Sequence, residues 1–149
     1  MSLWSQLRRV LLVVEFNTLD QVKSFREAIK STGLNVHECR ILAIVDSKKE
    51  KETLSEFTSV VYISPQEYSF FGGLKNEEAS KLFTTKFDTT IQVGEIHKRV
   101  KKSMSKVKPA IRIGLNAKNT EDFDVALNSE SESAEHLLDF VKQTLEKIK

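Results

Sequence analysis

Four stretches of the chain are rich in apolar or β-branched residues, and we predict that each forms a β-strand. They cover residues 10–16, 39–46, 59–64 and 87–93. The first two carry apolar residues at successive positions, as in "VLLVV" at 10–14. That pattern is typical of strands buried on both faces, which occur in parallel sheets.

Between the first two strands, apolar residues recur at helical spacing and predict an amphipathic helix. Thr18, followed three residues later by Gln21, predicts the start of this helix, and Gly33 predicts its end. The next connection, at 47–57, is strongly charged and predicts a loop or a short helix.

The second half of the chain predicts three more helices. Asn76 is a suitable N-cap for a helix over 77–83, and Ser133 is one for the last helix. Between them, a basic helix presents an apolar stripe formed by Ile96, Val100, Met104 and Val107. The last helix is expected to bury Leu137, Leu138, Val141, Leu145 and Ile148.

The segment 110–128 alternates between apolar and polar residues on both sides of a polar loop at 116–121. This alternation predicts an antiparallel hairpin with its apolar residues on one face. The expected pairs are Ile111 with Val125, Arg112 with Asp124 and Ile113 with Phe123. Arg112 and Asp124 are then expected to form a cross-strand ion pair, with a functional pair as the alternative.

Strands that alternate with helices predict an α/β fold. We expect a three-layer sandwich with a mostly parallel, Rossmann- or flavodoxin-like sheet and the C-terminal antiparallel hairpin at the sheet edge. A single domain over 1–149 is expected, because no linker or repeat divides the 149 residues. A domain of this length buries roughly 68–70% of its unfolded surface.

The composition, with 40% apolar and 30% charged residues, is that of a folded globular domain. A net charge of +2 is too small to indicate a nucleic-acid or membrane protein. Cys39 is the only cysteine, which excludes an internal disulfide. No signal peptide is apparent, and the run at 10–14 is too short to span a bilayer. We therefore expect a cytoplasmic protein without membrane insertion.

Polar residues follow each predicted parallel strand, where α/β sheets bind their ligands. The candidate ligand-binding residues are Asn17, Thr18, Asp46, Ser64 and Gly94. Asn17 and Thr18 precede a helix whose first N–H groups favour an anion, so the candidate ligand is a small anionic metabolite. The competing interpretation, which the sequence favours, makes these residues helix caps and turns.

No motif assigns a catalytic residue, cofactor or metal. The turn after the first strand, "EFNTLDQ", lacks the glycines of a dinucleotide site, and there is no Walker A motif. The third strand ends at Ser64 and Pro65, where a phospho-receiver domain requires an aspartate. The three histidines, His37, His97 and His136, have no metal-ligand spacing with Cys39. An enzyme is not excluded, because catalytic groups converge from distant segments.

The densest charge cluster is formed by Lys98, Arg99, Lys101, Lys102, Lys106 and Lys108. It is a candidate for contact with the phosphates of an anionic partner, first through Lys98, Arg99, Lys101 and Lys102. The alternative, a solvated helix face, is favoured because no aromatic residue interleaves with the run to stack on bases.

The stretch "YSFFGGLKNEE" at 68–78 combines an aromatic pair with a glycine pair. Gly72 and Gly73 predict backbone angles with positive φ, which let the chain turn back. Phe70 and Phe71 then either plug the sheet edge or form an exposed contact patch. The plug is our prediction, and an exposed patch would be an interaction surface.

Three stretches are similar to a family of small bacterial proteins, each a domain of unknown function of comparable length. They are "ILAIVDSKKE", "FFGGLKNEEASKLFTTKFDTTI" and "AIRIGL" followed by "FDVAL". The family pattern is an aromatic-Gly-x-Lys turn, a short helix running into Phe-Asp, and an Arg-Ile/Val-Gly strand. The family has no established activity, so the resemblance carries over no catalytic residue.

Together these features predict a non-catalytic interaction module that binds a partner protein or a second copy of itself. The alternative is binding or turnover of a small anionic metabolite at the carboxyl ends of the strands.

Overall fold

The computed structural model describes residues 1–54 and 57–149. Its strands are β1 (Val10–Glu15), β2 (Arg40–Ile44), β3 (Val60–Ile63), β4 (Thr89–Val93), β5 (Ile111–Leu115) and β6 (Val125–Leu127). Its α-helices are α1 (Leu19–Ser31), α2 (Lys48–Glu52), α3 (Glu77–Thr84), α4 (Lys98–Met104) and α5 (Ala134–Glu146). Short 3-10 helices cover Trp4–Gln6, Pro65–Glu67 and Thr120–Asp122. The charged segment predicted at 47–57 contains α2, and its residues 55 and 56 lie outside the described ranges.

The six strands form one sheet in the order β3-β2-β1-β4-β5-β6. Every neighbouring pair is parallel. The α/β fold and the parallel sheet are therefore confirmed. After β3 the chain returns to the centre of the sheet and continues on the other side of β1.

The C-terminal antiparallel hairpin is wrong, because β6 runs parallel to β5. The register pairs Ile113 with Val125 and Leu115 with Leu127. Nine residues, 116–124, connect the strands and reach about 30 Å when extended. That is more than the roughly 17 Å length of a five-residue strand, so the chain has room to return before β6. Alternation has the same period in either strand direction, and the sequence pattern therefore did not distinguish them.

Arg112 and Asp124 lie in contact, but through the backbone rather than as the predicted ion pair. Asp124 Oδ2 accepts a hydrogen bond from the Arg112 N–H at 2.8 Å, and the Asp124 N–H donates to the Arg112 carbonyl at 2.8 Å. The Arg112 guanidinium donates instead to the carbonyls of Met104, the last residue of α4, and Val107, just after it. The contact thus fixes the start of β6 against β5.

Apolar side chains form two clusters on opposite faces of the sheet, because neighbouring strand residues point to opposite sides. On β1, Leu11 and Val13 belong to one cluster, and Val10, Leu12 and Val14 to the other. The buried residues of α1 and α5 join Leu12, and those of α3 and α4 join Leu11. The two clusters on opposite faces of the sheet are observed, and the full three-layer sandwich stays a prediction.

The expected apolar face of α5 is buried except at its end. Leu137, Leu138, Val141 and Leu145 are buried, whereas Ile148 is 37% exposed and lies beyond the helix. The burial predicted for Ile148 is wrong, because the helical periodicity stops with the helix. Within residues 1–54 and 57–149, no helix combines the length and apolarity needed to cross a membrane.

Candidate functional site

The order of the strands reverses between β1 and β4, which lie side by side at the centre of the sheet. Open parallel sheets bind ligands beyond the carboxyl ends of the strands at such a point. Here the segments after β1 and β4 are joined directly, because Glu15 Oε1 accepts a hydrogen bond from the His97 N–H at 2.7 Å. Partial burial raises the pKa of Glu15, the hydrogen bond from His97 opposes this shift, and Asp46 adds to it.

We expect the substitution Glu15→Gln to stabilise the protein at neutral pH. With a folded-state pKa above the ordinary value of 4.5, Glu15 stabilises the fold below that pH. This contribution is lost as the pH rises through the raised pKa. Glutamine keeps an oxygen that accepts from His97 but carries no charge. In calorimetry, the Tm of the variant should match the wild type near pH 4 and exceed it increasingly toward pH 7. A difference that is independent of pH would contradict the expectation.

Asn17 and Thr18 are exposed and form the N-terminal cap of α1. The Gln21 N–H donates to Thr18 Oγ1 at 3.1 Å, and the Asn17 N–H donates to Gln21 Oε1 at 2.9 Å. The cap predicted at Thr18 is confirmed. The N–H groups of Asn17 and Gln21 are thus already bonded within the protein, and Asp20 adds a negative charge in the same first turn. Anion binding here stays a prediction.

The other three candidate residues also make contacts within the protein. Ser64 is fully buried; its hydroxyl donates to the Asp46 carbonyl at 3.4 Å and accepts from the Gln66 N–H at 3.2 Å. Gly94 has a φ of 73°, and its N–H donates to the Leu115 carbonyl at 2.7 Å. The structure brings Ser64 and Asp46 together, whereas Gly94 connects β4 to β5. In residues 1–54 and 57–149, no three His, Cys, Asp or Glu side chains are placed to hold a metal.

The aromatic stretch forms a tight loop that we call the aromatic tip, residues 68–74. Tyr68 and Leu74 form an antiparallel bridge, and the Ser69 N–H donates to the Gly73 carbonyl at 2.6 Å. Gly72 has a φ of 89°, which confirms the positive φ predicted there, whereas Gly73 has none. The chain therefore reverses direction within a few residues.

Phe70 and Phe71 lie in the turn of this loop, farthest from its base, and are 95% and 94% exposed. Their ring centroids are 5.4 Å apart and the planes are perpendicular. The prediction that they plug the sheet edge is wrong. The bridge and the turn hold the two positions away from the sheet, a geometry that no local pattern in the sequence indicates.

The base of the aromatic tip is held by buried side chains. The hydroxyls of Tyr68 and Ser103 are 2.6 Å apart, and Arg99 donates to the Pro65 carbonyl at 3.1 Å. Burial raises the pKa of the Tyr68 phenol. Glu67, which is 5% exposed, accepts from the Ser64 N–H at 2.8 Å and pairs with Lys51 at 3.0 Å. The loop therefore stands on a fixed base between β3 and α4.

One family model matches this chain over residues 3–148, almost its whole length. The chain belongs to DUF6913, a family of unknown function. This confirms the resemblance to a domain of unknown function. No curated protein matches the chain.

In this DUF6913 chain the basic run at 98–108 does not form one surface. Lys98 and Arg99 begin α4 at the carboxyl ends of the strands, whereas Lys106 and Lys108 follow it near the amino ends. Lys101 pairs with Asp122 at 3.0 Å, and Lys102 is exposed. An anionic partner at Lys98, Arg99, Lys101 and Lys102 stays a prediction.

The sequence interpretation missed two further basic residues, Arg9 and Lys86. They share a groove with Lys106 and Lys108. Arg9 directly precedes β1, Lys86 lies a few residues before β4, and Lys108 lies a few residues before β5. Because the amino ends of parallel strands meet at one edge of a sheet, basic residues before several strands were a signal for this site.

Proposed function

We propose that this protein is a non-catalytic interaction module that binds a partner protein through Phe70 and Phe71. The observation that supports the proposal is the nearly complete exposure of both rings at the end of an anchored loop. Burying one phenylalanine side chain is worth about 1.5–3 kcal/mol. A partner that covers both rings would gain this free energy, and aromatic side chains are prominent among the residues that dominate binding at interfaces.

The anchored base also favours binding. The bridge between Tyr68 and Leu74, with the contact from Tyr68 to Ser103, holds the loop before any partner arrives. A loop that is already ordered loses less conformational entropy on association. The two rings can thus act as one preorganised binding surface.

The charges around the aromatic tip define the partner's chemistry. Glu77 and Glu78, in the first turn of α3, are exposed and follow the loop, and Lys75 is the cation beside them. Arg99 lies at the base of the loop, so the charges around the rings are of both signs. Such charges are complementary to an apolar pocket with a polar rim on a protein. They disfavour an anionic lipid surface, which attracts basic segments.

Site-specific photo-crosslinking in cells tests the proposal. The photoreactive residue p-benzoylphenylalanine replaces Phe70 or Phe71, and the same residue at exposed Gln143 on α5 is the control. We expect a discrete protein adduct from positions 70 and 71 that position 143 does not form. The protein in that adduct should bind the purified chain at least roughly tenfold more tightly than the double variant Phe70→Ser/Phe71→Ser, a loss of about 1.4 kcal/mol.

Equal binding to the variant, or no adduct beyond that of the control, would overturn the proposal. An adduct with the mass of two chains would show that the partner is a second copy of this chain and not another protein. The double variant itself should unfold within about 0.5 kcal/mol of the wild type, because exposed side chains contribute little to stability.

A further inference from the structure

A groove of about 700 Å³ lies at the amino ends of β1, β4 and β5, at the opposite edge of the sheet from the aromatic tip. Phe83, Phe87 and Val107 form an apolar floor but are only 8%, 5% and 2% exposed. Its basic residues are Arg9, Lys86, Lys106 and Lys108. Asp88 is the one carboxylate among the described residues that line it. The groove therefore carries four positive charges and one negative charge.

Asp88 is held in place by its neighbours and does not pair with the cations of the groove. Its Oδ2 accepts from the N–H groups of Arg8 at 3.0 Å and Arg9 at 2.7 Å, and its Oδ1 accepts from the Thr89 hydroxyl at 2.7 Å. Within residues 1–54 and 57–149, the ion pairs are Lys51–Glu67 and Lys101–Asp122. The four cations are thus left without a carboxylate partner in that part of the chain.

The helix dipole explains only part of this charge. Cations stabilise the C-terminal end of a helix, and Lys108 Nζ donates to the Ser105 carbonyl at 3.3 Å. The carbonyls of Met104 and Val107, however, already accept from the Arg112 guanidinium. Arg9 and Lys86 have no such contact in the described residues. The remaining positive charge is exposed and accessible to an anionic ligand.

We propose that this groove binds a small molecule that carries two or more phosphate groups, held by Arg9, Lys86, Lys106 and Lys108. Ligand pockets in proteins have volumes of about 300–1,000 Å³, and the groove lies in this range. Lysine binds phosphate as a point charge, and a di- or triphosphate matches the local excess of positive charge. Because Phe83, Phe87 and Val107 are almost fully buried, the phosphate groups are expected to supply most of the binding.

The opposite end of the sheet carries charges of both signs. Glu15 ends β1, Asp46 and Glu95 follow β2 and β4, and Lys98 and Arg99 begin α4 there. The charges therefore favour the amino ends for a phosphate ligand, although ligands of such sheets usually bind at the carboxyl ends. Binding in this groove is independent of the aromatic tip, so either proposal can fail without the other.

Isothermal titration of the full chain with inorganic tripolyphosphate, at low salt and at about 0.15 M NaCl, tests the proposal. The groove variant is Lys86→Gln/Lys106→Gln/Lys108→Gln. The control variant Lys49→Gln/Lys98→Gln/Lys102→Gln removes the same charge from exposed positions outside the groove. We expect the groove variant to bind at least roughly tenfold more weakly than the wild type, and the control less than about threefold, because the groove cations contact the phosphate directly and the control cations do not. Circular dichroism verifies that both variants are folded.

Adenosine triphosphate is the second probe, and binding as tight as that of tripolyphosphate would support recognition through the phosphate groups. No heat of binding at low salt, or equal losses in the two variants, would overturn the proposal. If orthophosphate binds the groove as tightly as tripolyphosphate does, the requirement for two phosphate groups is wrong. Single-stranded RNA oligonucleotides are the last probe. If their affinity keeps rising once they are longer than the groove, the proposed small-molecule ligand is wrong and the ligand is a nucleic acid.

Discussion

Replacing Gly114 by valine is expected to destabilise the protein by about 3 kcal/mol, the upper part of the usual range for overpacking. Gly114 is buried in β5, and the ring of Phe123 lies directly over it. A Cβ atom at Gly114 would lie 2.5–2.7 Å from three ring carbons of Phe123. Because backbone pairing on both sides holds β5, the ring has to move. Phe123 lies just before β6, the edge strand. Moving its ring should therefore disturb the pairing of β6 as well.

A double-mutant cycle with Phe123→Ala isolates this contact. Removing the ring should abolish most of the destabilisation caused by Gly114→Val, because the space above Gly114 is then open. Valine at Ala126, the exposed residue that pairs with Gly114 on β6, is the control and should change stability by less than about 0.5 kcal/mol. Urea unfolding of the four proteins measures the coupling. A destabilisation that persists in the Phe123→Ala background would show that the ring is not its cause.

The substitution Asn76→Ala is expected to cost about 2–4 kcal/mol. Asn76 is 7% exposed; its Oδ1 accepts from the Ala79 N–H at 3.0 Å, and its Nδ2 donates to the Tyr62 carbonyl at 3.0 Å. Loss of an N-cap costs about 1 kcal/mol, and loss of a buried hydrogen-bond partner costs about 1–3 kcal/mol more. For a chain of this size, each kcal/mol lowers the Tm by about 2–4 °C.

Thr18→Ala provides the matched control, because Thr18 caps α1 but is exposed, and within residues 1–54 and 57–149 its side chain makes only the capping bond. We expect this variant to lose about 1 kcal/mol. The difference between the two variants then measures the bond from Asn76 to β3. Equal losses, determined by thermal unfolding, would show that this bond contributes nothing beyond the cap.

Predictions that depend on nearest neighbours agree with the structure. Thr18, Asn76 and Ser133 each cap the helix that follows, since a cap needs only an N–H two or three residues ahead. The buried strands were also found where apolar residues occupy successive positions, because helices cover both faces of such strands. These features are encoded within a few residues of the chain.

Features that depend on distant segments were predicted wrongly or missed. The direction of β6 depends on the path of 116–124, and the exposure of Phe70 and Phe71 depends on how their loop stands on β3 and α4. The guanidinium of Arg112 reaches carbonyls at and just after the end of α4 instead of Asp124. In each case several partners were chemically acceptable, and only packing selected one.

The sequence by itself therefore determined the α/β class, the order of the elements and the helix caps, because hydrophobic period and capping act over one or two turns. Its resemblance to a family of unknown function was likewise readable from local stretches. Tertiary structure alone decided the direction of β6, the exposed aromatic tip and the gathering of Arg9, Lys86, Lys106 and Lys108 in one groove. Those outcomes depend on which strands become neighbours, a choice made by the burial of the whole sheet.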